Sequence, residues 1–171
     1  MAHNPYNLST NDRTQYGELL RERIYSTITL LAVVVVLWQH PGDYTAWGVV
    51  GTIIGTVGAL WLATLIASRM SYRIVHDNSE LESHYRKSSE AASGLLVPAS
   101  APVFFVLISM TGLIELKTAL LISVILLVLS LFLFSLVSGS KLTSNRVALL
   151  LYSVLIMGLG LAVVVLKIVL K

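Results

Sequence analysis

The sequence predicts an all-α fold, a polytopic integral membrane protein of about five transmembrane helices, and three observations carry that expectation. Of 171 residues, 56% are hydrophobic and 12% charged, against roughly 25% charged in ordinary soluble domains. The apolar residues gather into five long runs separated by short polar stretches, most of them near the ~20 residues that a helix needs to cross a bilayer core. Within those runs there is no Asp, Glu, Lys, Arg or His.

Taken in order, residues 1–12 mix Asn, Pro, Ser and Thr without apolar periodicity and read as a tail. Residues 13–23 suit a short interfacial helix: Tyr16, Leu19, Leu20 and Arg23 follow helical spacing, while Arg21 and Glu22 face away. Residues 1–23 thus form a cytoplasmic tail and interfacial helix, and residues 24–171 the five-span membrane domain. Span one covers 24–38, lengthened to the interface by Gln39 and His40, and PGDYTAW turns the chain. A cleaved signal peptide is disfavoured here, because a long charged segment precedes the run and no small-residue cleavage site follows it.

Span two covers 46–68. It carries Gly48, Gly51, Gly55 and Gly58, and Ala59, Ala63 and Ala67 continue the spacing. Gly51 and Gly55 form GxxxG, which admits close backbone approach in a medium where apolar side chains gain nothing by leaving lipid. Packing within the chain is the favoured reading of this stripe, and a dimer interface is the alternative. Residues 69–93 are polar and suit a cytoplasmic helical extension. Span three covers 92–114, and its Pro98 and Pro102 predict a kinked or broken start. Residues 115–117 make a polar turn, span four covers 118–137, GSKLTSNR closes it, and span five covers 147–166. Lys167 and Lys171 then snorkel to the interface.

With these bounds, nine of the twelve Lys and Arg residues fall on the N-terminal side of the membrane. The positive-inside rule therefore places the N-terminus in the cytoplasm and the C-terminus outside. The cell membrane is the expected location, the lipid bilayer the principal partner, and nucleic acid no partner, since no basic patch is interleaved with aromatics. With no cysteine, the chain has no disulfide, thiolate metal site or thioester chemistry.

Uncharged spans argue against a proton-driven pump, whose relays need titratable groups within the membrane. The polar groups inside are hydroxyls, among them Ser26, Thr27, Thr29, Thr52, Thr56, Thr64, Ser100, Ser109, Thr111, Ser123, Ser130, Tyr152 and Ser153. Bonding back to their own helix carbonyls is the simpler role for them, and lining a pore the other. His76, Glu80 and His84 stand at i, i+4 and i+8 with Asp77 adjacent. That is a candidate face for a divalent cation, although i to i+8 spans about 12 Å, so one ion would need ligands from elsewhere. A solvated helix face is the plainer reading. No phosphate-binding glycine loop, GxSxG elbow or HExxH motif is present, and enzyme chemistry is disfavoured.

The layout resembles the vacuolar iron transporter (VIT) family. The matching features are the five spans, the polar segment between spans two and three, the Gly- and Ala-rich span two ending in Ser68, Arg69 and Met70, and the proline pair of LLVPASAP. The resemblance implies a dimeric divalent-metal and proton exchanger, with Met70 standing where the family uses a thioether. Two departures weigh against it: span one holds no carboxylate, and the polar segment offers only Glu80, Glu82 and Glu90 where the family's metal-binding segment is rich in glutamate. Two functions follow as expectations. One is a homo-oligomeric divalent-cation transporter or channel, most simply a dimer, with a metal site at His76, Asp77, Glu80, His84 and Met70. The other is a non-transporting accessory, regulatory or phage-exclusion protein that acts through helix contacts along the glycine stripe.

Overall fold

A computed structural model of the chain describes residues 10–75, 94–142 and 146–169. Among them are five α-helices and no strand: α1 (Thr10–Gln39), α2 (Ala46–Val75), α3 (Val97–Met110), α4 (Leu116–Leu142) and α5 (Arg146–Val169). Three are long and apolar enough to cross a membrane, over Ala46–Met70 in α2, Leu116–Val137 in α4 and Leu149–Val169 in α5. The remaining two differ in kind. The apolar helix at Gly94–Met110 is shorter, and α1 carries Arg21, Glu22 and Arg23 directly below its apolar run.

Helix α1 is the centre of the bundle and packs against each of the other four. Its buried positions Ser26, Thr27, Leu30, Leu31, Val34, Val35 and Leu37 recur at helical spacing. The five apolar ones belong to one core with Val49, Ile53 and Val57 of α2, Val106 of α3, Leu120, Leu127 and Leu131 of α4 and Ile156 of α5. In a lipid setting such a core is held by close van der Waals packing rather than by escape from water. At Gly160 a Cβ would lie 2.6 Å from Leu131 Cδ1 and 3.7 Å from Leu31 Cδ2, so α5 meets α1 and α4 closely there and a side chain larger than a methyl would have to displace both leucines.

Three contacts fix the helix directions. Glu22, low on α1, meets Thr64, late in α2, and Arg23 lies over the ring of Phe134, late in α4. At the opposite end the Gln39 side chain donates to the Lys167 carbonyl, late in α5. Helices α1 and α5 therefore run one way, α2 and α4 the other.

Several boundaries differ from the sequence expectation. The helix expected over 13–23 and span one form a single helix: α1 is continuous from Thr10, because neither Pro nor a helix-stopping turn separates them. The first turn is a 3-10 turn at Pro41–Asp43. Thr45 then caps α2, its hydroxyl accepting from the Gly48 amide at 3.1 Å. The third helix stops at Met110, not 114. Gly112 takes φ 79, and the amides of Thr111 and Gly112 donate to the carbonyls of Ile108 and Ser109, a left-handed glycine stop. Lys117 consequently sits in the first turn of α4 rather than in the turn before it. Pro98 falls in the first turn of α3, where a missing N–H leaves nothing unsatisfied, and the helix runs through Pro102. The irregularity lies just upstream, in the 3-10 turn Gly94–Leu96.

Candidate functional site

His76, Asp77, Glu80 and His84 lie outside the described residues. Met70 is described, 63% exposed at the end of the apolar stretch of α2. Among the described residues no three His, Asp or Glu side chains stand close enough to hold a metal ion.

Among the described residues nothing packs on the glycine stripe, which is not what packing within the chain would give. Gly48, Gly51 and Gly55 are exposed and Gly58 is half-buried. A Cβ added at Gly51, Gly55 or Gly58 would meet nothing within 4 Å, and at Gly48 only the hydroxyl of its own cap, Thr45. Ala59, Ala63 and Ala67 are exposed as well. Helix α2 buries Val49, Val50, Ile53 and Val57 on its other face, and from Gly58 to Met70 no residue is fully buried. The small-residue face thus points out of the bundle along nearly the whole apolar length of α2.

The charged end of α1 is the second feature. Glu22, expected to face away, turns inward: its side chain is 13% exposed, against 76% for Arg21. Arg21 donates to Glu22 Oε1 at 3.1 Å, and the Thr64 hydroxyl donates to Oε2 at 3.4 Å. Arg23 also turns inward, its guanidinium 5.7 Å from the centre of the Phe134 ring, a cation–π contact. Its Nε is buried without a hydrogen-bond partner. The signal for both residues was present in the helical phase of α1. Ser26 and Thr27 are buried, and four residues back along the same face stand Glu22 and Arg23.

The hydroxyls within the helices mostly satisfy themselves. Ser26 and Thr27 donate to the Arg23 carbonyl, Thr29 to Tyr25, Thr52 to Gly48 and Thr56 to Thr52. Ser100, Thr111, Ser123, Ser130 and Ser153 donate to Val97, Ile108, Ala119, Leu126 and Leu149 in the same manner. Thr64 is the exception, reaching across to Glu22. Ser135, not singled out from the sequence, is buried with no partner.

Compared with protein-family models, characterised proteins and solved structures, the chain matches none. Three helices long and apolar enough to cross a membrane mark it as a membrane protein by length and composition.

Proposed function

We propose that the chain is a five-span integral protein of the cell membrane, N-terminus in the cytoplasm and C-terminus outside, that pairs with a second copy along α2 and acts through helix contacts rather than by moving an ion. The outward small-residue face of α2 is the observation behind this reading. Such faces let two backbones approach closely in lipid, where packing and hydrogen bonds drive association. The core beside it is filled by Leu, Val and Ile, and ten hydroxyls along the chain are turned back onto carbonyls three or four residues earlier, which suits contact better than conduction. The test is association measured by crosslinking and by energy transfer between labelled copies in liposomes. Gly51→Leu combined with Gly55→Leu is expected to abolish it without unfolding the bundle, because none of the described residues would touch a Cβ at either position. Association that survives both substitutions would count against the reading.

A second reading, divalent-cation passage of the VIT-like kind, is favoured by one observation. Because α1 is continuous, the inward carboxylate of Glu22 stands on the helix of the first span after all. Purified protein in liposomes loaded with an Fe²⁺- or Mn²⁺-sensitive dye separates the two. Flux above empty vesicles that is lost in Glu22→Gln and in the combined His76, Glu80 and His84 to Ala variant would establish passage; no flux from folded protein would remove it.

A further inference from the structure

Arg23 presents a cation for which the described residues offer no anion. Glu22, its sequence neighbour, is engaged on both oxygens, by Arg21 and by Thr64. The one ion pair among the described residues is Arg21 with Glu22. Arg23 instead lays its guanidinium against the Phe134 ring, and its Nε is sealed in without an acceptor. Burying a guanidinium N–H without a partner is unfavourable. Of the three nitrogens only Nε is sealed, and Arg23 as a residue keeps part of its surface exposed. Nη1 and Nη2 are therefore the reachable donors, held in place by the ring behind them.

The position of this cation along the bundle says what meets it. Arg23 immediately precedes the apolar run of α1. It stands at the level of Thr64 and Phe134, near the ends of the apolar stretches Ala46–Met70 and Leu116–Val137. In a bilayer spanned by those stretches this is the boundary between acyl chains and headgroups, the depth of the lipid phosphates. A planar guanidinium with two free terminal nitrogens matches two phosphate oxygens, a pairing that an ammonium does not reproduce.

We propose that Arg23, backed by Phe134, is a docking point for the phosphate of one lipid headgroup at this end of the bundle. The inference rests on the membrane-spanning reading but not on α2 pairing, and resistance of the chain to carbonate extraction checks the former separately. The experiment is native mass spectrometry of the full chain in detergent, titrated with phosphatidylglycerol. One lipid is expected to be retained, with affinity about tenfold weaker in Arg23→Gln, as loss of a charge-assisted pair implies. Arg23→Lys, which keeps the charge and loses the fork, is expected to fall between. Phe134→Leu tests the site with the cation intact and is expected to weaken retention less than Arg23→Gln. Unchanged retention in folded Arg23→Gln would overturn the proposal. So would an equal loss in Lys117→Gln, at the far end, since that would mean diffuse charge attraction. Displacement of the lipid by millimolar inorganic phosphate would overturn it too, by assigning the pair to a free anion.

Discussion

Ser123 and Ser135 lie on the same helix, both buried, and differ in what their hydroxyls find. Ser123 donates to the Ala119 carbonyl at 2.7 Å; Ser135 has no acceptor. An unsatisfied buried hydroxyl costs about 1 kcal/mol or more, so removing it relieves that cost. Ser135→Ala is accordingly expected to leave stability unchanged or raise it by about 1 kcal/mol, read as the midpoint of thermal unfolding in micelles. A clear drop in that midpoint would mean the hydroxyl has a partner after all. Gly160 gives the opposite expectation at the same scale. The tip of Leu131 can swing from an added methyl, so Gly160→Ala should be mild. Gly160→Leu must displace Leu131 and Leu31 together and should lower stability by about 1–3 kcal/mol, the usual range for overpacking. The same substitution at Gly51 or Gly55 should leave the unfolding midpoint of the monomer unmoved, so the pair of experiments separates inward from outward glycines.

At the scale of the element, α2 is where reading the sequence and seeing the structure diverge most usefully. That it is a helix was legible, since its apolar run is long and uninterrupted by charge. Which side its glycines face was not, because in lipid a small residue gives no inside-or-outside signal: either face of the helix meets apolar matter. For α1 the inward turn of Glu22 was hidden by ending the span at the first charge, although the helical phase continued through it. The stop of α3 at Met110 was hidden because Leu113 and Ile114 extend the apolar run past a turn that only Gly112 betrays. The link between α1 and the lower half of α2 is correspondingly thin, with no fully buried residue from Gly58 to Met70 and the Thr64 hydroxyl reaching Glu22. Thr64→Val removes that donor while keeping the side chain's shape. It should loosen this end of α2, seen as faster amide exchange there, with a stability loss of about 0.5–1.5 kcal/mol; unchanged exchange would mean that apolar contacts alone hold it.

Across the whole molecule the contacts set an alternation, α1 with α5 against α2 with α4, that any membrane orientation must respect. Charge then chooses between the two ways of inserting such a bundle: Arg21, Arg23 and Arg69 stand at one end, with Lys117 and Lys167 at the other. In the orientation proposed from the positive-inside bias, the arginine end faces the cytoplasm. Because the chain has no cysteine, a single introduced thiol reports its side without background. Arg21, Asp43 and Lys117 are all exposed, and Asp43 and Lys117 lie in or beside the turns opposite the Arg21 end. In intact cells a membrane-impermeant thiol reagent is expected to label Asp43→Cys and Lys117→Cys, and to reach Arg21→Cys only after permeabilisation. The reverse pattern would invert the orientation while keeping the bundle. Labelling of Asp43→Cys and Lys117→Cys from opposite sides would be more damaging, since it would mean that α2 and α3 together do not return the chain across the membrane.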